Sequence, residues 1–374
     1  MFEAGIQLKE EYGAENVFDF SLGNPNVPPP DIFQRVLRET AEDDRPGVHG
    51  YMPNAGLSET RSAIARYLSD VHEMTITVDH ILTTCGAGGA LNVVFKTLLD
   101  PGDEVIIPTP FFVEYRFYID NHGGTPVLVT TNDDFSLDMA AIEKAVTEKT
   151  KIVLINSPNN PTGAVYDARQ IDALSRLLKE KSAALGRDIY LVSDEPYRDI
   201  VYDGMSVPSV LSRFSNSIVA TSYSKNLSIP GERIGYIVLS PELSDISAVT
   251  AGMVLCNRIL GFVNAPALMQ RVVTRLQGVS VDSAIYQKKR DLLYAGLTDI
   301  GYDVEKPGGA FYLFPRTPID DDVAFVQALQ KYNILAVPGS GFGGPGHIRI
   351  CYCVDDNTIT GAMNGFEKAF HEFR

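Results

Sequence analysis

Four cysteines in 374 residues are too few for a disulfide framework. Cys351 and Cys353 stand two apart in an apolar run, and so share a face if that run is a strand. No second cysteine pair or histidine cluster completes a metal site, so Cys85, Cys256, Cys351 and Cys353 read as reduced structural thiols. Long apolar runs are missing too, and no stretch approaches the ~18 apolar residues of a membrane span. The first residues, MFEAGIQLKEEYGAENV, carry charge throughout and lack the apolar stretch of a signal peptide. A cytoplasmic protein is the expectation. Basic residues are outnumbered, 32 Lys and Arg against 47 Asp and Glu, for a formal net charge of −15. That deficit argues against unspecific binding to nucleic acid or anionic lipid, which both need a basic field. It does not bear on a small anion held in a local pocket.

The rest of the composition is that of a globular chain, 45% hydrophobic and 21% charged, and its length suits two domains. Short β-branched runs lie at 80–84, 104–108, 125–129, 151–155, 189–193, 218–221 and 235–239. Most are continuously apolar, the pattern of strands buried on both faces. Helix-length segments separate several of them; in 168–182, Ile171, Leu174, Leu177 and Leu178 fall on one face of a 3.6-residue period. Alternation of this kind predicts an α/β fold with a mostly parallel, seven-stranded sheet between helices. The ends differ. A charged helix is expected within residues 1–39, stopped by Pro28-Pro29-Pro30, and a long helical pattern after about residue 275 leads to short strands near 310–314 and 347–353. The expected division is a large domain, 40–275, and a smaller α+β domain built from 1–39 and 276–374.

Several turns just past strand ends carry chemistry. Thr84-Cys85-Gly86-Ala87-Gly88-Gly89 follows a strand and opens a helix expected over 90–99. Small residues there let backbone N–H groups and the helix N-terminus approach a phosphate. Ser222-Tyr223-Ser224-Lys225-Asn226 follows the strand 218–221, with Arg233 eight residues beyond Lys225. A lysine at the edge of a buried sheet is desolvated, and its amine becomes a nucleophile able to form an imine with an aldehyde. Asp194-Glu195-Pro196-Tyr197 and Ser157-Pro158-Asn159-Asn160-Pro161-Thr162-Gly163 end two further strands, at the carboxyl edge where open α/β sheets bind ligands. An aspartate there can keep a pyridine nitrogen protonated, while Asn160 and Tyr197 can donate to a phenolate oxygen.

Taken together, NPTG (160–163), DEPY (194–197), SYSKN (222–226) and Arg233 resemble the class I/II aminotransferases, pyridoxal 5′-phosphate enzymes of fold type I related to aspartate aminotransferase. The resemblance runs from about residue 17 to 372. It implies that Lys225 forms the internal aldimine and shuttles the substrate's proton, and that Asp194 faces the pyridinium nitrogen. It places Tyr197 and Asn160 on the ring's phenolic oxygen, and gives Gly86, Ala87, Gly88, Ser222 and Arg233 to the phosphate. Phe112 would stack on the ring, Arg349 would clamp the substrate α-carboxylate, and Gly23 in Ser21-Leu22-Gly23-Asn24-Pro25 would close over that carboxylate with Asn160 nearby. Tyr51 resembles a tyrosine that reaches the phosphate from the neighbouring subunit, which implies a homodimer with a shared active site.

The chain departs from the family at Pro196, where an aliphatic residue usually precedes the tyrosine, and in a short N-terminal arm. A lysine that some relatives favouring acidic substrates carry at the position of Gly88 is absent. Arg258, 33 residues after Lys225, matches an arginine that reads a distal carboxylate in other relatives; a structural or interfacial role is the alternative. The expected activity is ping-pong transfer of an amino group from an L-amino acid to a 2-oxo acid, with aspartate or glutamate as candidate donors. A C–S β-lyase or amino-acid decarboxylase on the same cofactor is the alternative. A non-catalytic cofactor-binding module is disfavoured, because every catalytic position is filled.

Overall fold

The computed structural model describes residues 2–373. All seven strands anticipated for the central sheet form, and all lie in one sheet. In chain order the strands are β1 (Phe18–Asp19), β2 (Ile81–Thr84), β3 (Glu104–Thr109), β4 (Thr125–Thr130), β5 (Thr150–Asn156), β6 (Tyr190–Asp194), β7 (Ser217–Ser222), β8 (Gly235–Leu239), β9 (Tyr312–Leu313), β10 (Ile334–Leu335), β11 (Val337–Pro338) and β12 (Ile348–Cys351). The central sheet runs β2-β8-β7-β6-β5-β3-β4, with β8 alone antiparallel to its neighbours.

Alternate residues of the central strands feed two separate cores. Val153 and Ile155 of β5 pack with Ile171, Leu174 and Leu178 of the helix Ala168–Leu185 on one face. Ile152 and Leu154 pack with Val93, Val94 and Phe95 of the helix Gly86–Leu98 on the other. Burying each such side chain fully contributes about 1.5–3 kcal/mol, which is why the strands read as continuous apolar runs. The parallel strands all end at one edge, and β8 begins there. Gly235 pairs with both Thr84 and Ser222, and Asn156 pairs with Asp194. This register draws the turns after β2, β5, β6 and β7 to one place.

A third core joins Phe20 to C-terminal residues such as Leu293, Phe325, Ile350 and Phe366. It supports two small sheets, β1-β10 and β11-β12-β9. Pairing of Phe18 with Ile334 and Asp19 with Leu335 fixes the N-terminal segment beside the C-terminal one. Phe33 and Val36 pack instead with Ile64 and Met269 in a core of the large sheet. We therefore propose that the N-terminal contribution to the small domain ends before the helix Asp31–Ala41, ahead of the expected residue 39.

Two local expectations need correcting. The first helix, Phe2–Tyr12, ends before Gly13, which has φ 83°, so the prolines at 28–30 do not stop it and Pro30 instead precedes the next helix. The helix after β2 begins at Gly86 rather than at 90, so the glycine turn is itself the first helical turn.

Candidate active site

The sheet edge and the small domain enclose a cavity of about 470 Å³. Lys225, Asp194, Tyr197, Ala87, Gly88, Phe112, Asn160, Ser222, Arg233, Gly23 and Arg349 all line it. Gly86 lies just behind: a Cβ there would come within 3.0 Å of Arg233 Nη2. Tyr51 and Arg258 are exposed and do not line this cavity of their own chain.

Lys225 reaches into the cavity from the turn after β7, and its Nζ donates to the Gly23 carbonyl at 2.8 Å. The ammonium also lies 5.2 Å from the Phe311 ring centre and 5.8 Å from that of Tyr197. Burial, followed among the lowering influences by the charges of Arg233 and Arg349, pushes the amine below its ordinary value. Its charged form is thereby less favoured than that of a solvated lysine.

Asp194, the last residue of β6, is buried at 5% exposure, and burial pushes its carboxyl up to about 7. Tyr115 Oη donates to Oδ2 at 2.5 Å, which opposes that rise. Oδ1 is buried without a partner. An orphaned carboxylate oxygen is costly in a native core unless a ligand completes it. A protonated ring nitrogen is the kind of donor it lacks.

The opposite end of the cavity suits a phosphate. Cys85 precedes the helix Gly86–Leu98 without capping its first N–H groups through a side chain, leaving a positive helix end open. Arg233, at φ 51°, lies two residues before β8, and the pairing of Gly235 with Thr84 and Ser222 carries it to this end. Ser222 Oγ is tied to Ser224 Oγ at 3.0 Å. Phe112 forms a side wall, its ring 5.3 Å from and edge-on to Tyr115.

Arg349 occupies the middle strand of β11-β12-β9. Its guanidinium carbon lies 4.6 Å from the Phe342 ring centre and 4.8 Å from that of Tyr312. Nη1 donates to Asn160 Oδ1 at 3.1 Å and Nη2 to the Ser21 carbonyl at 2.7 Å, while Nε is buried and unpartnered. A planar cation fixed between two rings presents its fork in one orientation, which matches a carboxylate.

Some residues of the site escape sequence reasoning. Tyr312 bonds Tyr197 Oη at 2.8 Å, flanks Arg349 and leaves no room for a side chain at Gly23, where a Cβ would stand 2.0 Å from its hydroxyl. Asn156 donates to the Asp194 carbonyl at 2.8 Å and accepts from the Asn160 backbone at 2.7 Å. Tyr115 stands three residues after Phe112 at helical spacing, which is a usable signal. Tyr312 carries none beyond alternation in a short strand.

The family model for aminotransferases of class I and II matches residues 15–366. A probable aspartate aminotransferase of Methanocaldococcus jannaschii is 31% identical over 360 residues, 94% of this chain and 93% of that protein. An amino transferase from Eubacterium rectale superposes with a TM-score of 0.97 at 42% identity, covering 100% of this chain and 94% of the other. The aspartate aminotransferase of Thermus thermophilus, solved with maleate, gives 0.88 at 28% identity, covering 98% and 95%. A cleft built around a half-buried lysine, a half-satisfied aspartate and an arginine held against two rings thus sits in a chain that belongs to the class I and II aminotransferases.

Proposed function

We propose that this cavity binds pyridoxal 5′-phosphate and transfers an amino group from an L-amino acid to a 2-oxo acid in two half-reactions. The observation that carries the reading is the pair Lys225 and Asp194: a half-buried amine and a buried carboxylate with one free oxygen, just past adjoining strand ends and on one cavity. When bound, the cofactor supplies an aldehyde for the amino group and a ring that withdraws electrons from the substrate Cα.

Each residue then has a task in its own terms. Asp194 Oδ1 holds the proton on the ring nitrogen, and Tyr115 fixes the carboxylate for it. Lys225 Nζ, with its basicity lowered by burial, takes the proton from the substrate Cα. Arg349 orients the α-carboxylate, with Asn160 and Gly23 at its margin. Gly86, Ala87, Gly88, Ser222 and Arg233 hold the phosphate. Phe112 covers the ring, and Tyr197 and Asn160 donate to its phenolic oxygen. Pro196 leaves Tyr197 in place, buried in the cavity wall.

Tyr51 belongs in this reading to the neighbouring subunit's cleft, on the phosphate, and Arg258 to the interface between the two subunits. Tyr51 is 96% exposed, and Leu255 and Ile259 on the helix of Arg258 are also exposed, as a homodimer interface requires. Four free cysteines agree with a cytoplasmic setting. Among the described residues, no helix is long and apolar enough to cross a membrane. The family match favours amino transfer over the lyase and decarboxylase alternatives. A half-reaction screen tests the reading: the pyridoxal-loaded protein is mixed with each amino acid, and conversion to the pyridoxamine form is followed by absorbance. Lys225→Ala should abolish conversion, and surviving turnover would refute the assignment.

A further inference from the structure

The charged groups lining the cavity can be assigned almost completely. Its cations among the described residues are Lys225, Arg233 and Arg349. In the reading above they serve the cofactor aldehyde, the phosphate and the substrate α-carboxylate. Its carboxylates are Asp194, which faces the ring nitrogen, and Glu114. Glu114 has no task in that scheme.

Glu114 opens the helix Glu114–Asn121, two residues beyond Phe112. Its Oε2 is out of contact with solvent and has no hydrogen-bond partner. Burial pushes its carboxyl up, while a hydrogen bond from its own backbone N–H and, after it, the charge of Arg349 pull it down. Gly88 supplies no cation to this part of the wall, where a Cβ would meet the Tyr118 hydroxyl at 3.2 Å, so Arg349, committed to the substrate α-carboxylate, is the cation of this chain that acts on Glu114. An uncommitted acceptor in a partly desolvated cavity gains from a donor and repels an anion.

We propose that Glu114 determines donor specificity by favouring amino acids whose side chains end in hydrogen-bond donors, a carboxamide or a cation, over those ending in a carboxylate. This rests on the aminotransferase reading of the same cavity, and it names the substrate class there. The α-carboxylate goes to Arg349, and the distal group of the side chain meets Glu114. Aspartate and glutamate place a second negative charge against it, whereas asparagine, glutamine or lysine place N–H groups there.

The test uses the pyridoxal-loaded enzyme and its Glu114→Gln variant, which keeps the shape and removes the charge. Single-turnover kcat/KM is measured for asparagine, glutamine, lysine, aspartate and glutamate. The wild type should favour asparagine over aspartate by at least about tenfold, and the variant should move that ratio toward aspartate by about tenfold. As a readout independent of turnover, succinate titrated against the cofactor absorbance should bind the variant about tenfold more tightly. Retained melting temperature and cofactor absorbance establish that the variant folds. A wild-type preference for aspartate, or an asparagine-to-aspartate ratio and succinate affinity that do not move, would overturn the role of Glu114 while leaving the aminotransferase reading intact. No conversion of the wild type by any amino acid would instead overturn that reading, and this inference with it.

Discussion

Tyr115 donates its hydroxyl to one oxygen of Asp194 at 2.5 Å, while the other oxygen of the same carboxylate, Oδ1, is buried and accepts nothing. Burial pushes the Asp194 carboxyl up to about 7 from an ordinary 3.8, against the lowering by Tyr115. A carboxyl whose folded value is raised contributes stability below the unfolded value and loses it as pH rises through the folded one. For Asp194 that window runs from about pH 4 to beyond pH 7, and the loss is on the order of 4 kcal/mol. In the cofactor-free protein, Asp194→Asn should therefore lose less stability than wild type across this range. Urea unfolding midpoints against pH check it. Parallel profiles for the two proteins would show that the aspartate's ionisation carries no such penalty.

The fixed orientation of Arg349 makes a second outcome specific. Its guanidinium lies between Phe342 and Tyr312, with the fork tied to Asn160 and the Ser21 carbonyl. Arg349→Lys keeps the charge and loses both the stacking and the bidentate geometry. Every amino-acid substrate should lose kcat/KM by roughly 30–100-fold, the equivalent of about 2–3 kcal/mol. Steady-state kinetics across small, polar and acidic donors measure this. A loss confined to one side-chain class would place Arg349 on the side chain and not on the α-carboxylate.

Backbone closeness at the phosphate end gives a third. A Cβ on Gly235 would stand 2.4 Å from the Thr221 carbonyl and 2.9 Å from Gly86 Cα. Backbone atoms on both sides leave no soft direction, so Gly235→Ala must part β8 from its neighbours and carry Arg233 away from the helix end. The expected result is a loss of about 1–3 kcal/mol in stability, with weaker cofactor retention on dialysis. Gly341→Ala, whose methyl would meet nothing within 4 Å, serves as the control and should match wild type in both.

The central sheet is legible in the sequence because burial on both faces writes itself as uninterrupted apolar runs, and Ile152 to Ile155 show why: alternate side chains enter different cores. Chemistry at strand ends is legible for a related reason. The parallel register places the residue after each run at one edge, so Asp194, Ser222 and Asn160 can be grouped from the order of runs and turns alone. The two-residue strands β1, β10 and β11 are not legible, since their pairing is imposed by tertiary contact, across about 300 residues of chain in the case of β1 and β10. Tyr312 and Glu114 escape assignment for the same reason. A tyrosine in a short strand or a glutamate at a helix start is unremarkable until the fold turns it into a cavity. The end of the first helix shows the limit of local signals: Gly13 outranks a proline cluster that stands farther down the chain.

The last outcome concerns Tyr51, almost fully exposed on its own chain and assigned to a cleft it does not line. A shared site makes a prediction that a self-contained one cannot. Lys225→Ala and Tyr51→Ala each disable both sites of a homodimer. In a mixed dimer, one site combines both defects, while the other has an intact Lys225 and receives Tyr51 from the Lys225→Ala subunit. Unfolding and refolding the two variants together in equal amounts should restore about a quarter of wild-type turnover, because half of the dimers are mixed and each regains one site of two. Each variant refolded alone should stay at its own low level. If the mixture gave no more than the average of the two variants, Tyr51 would not cross between subunits, and its exposure would need another explanation.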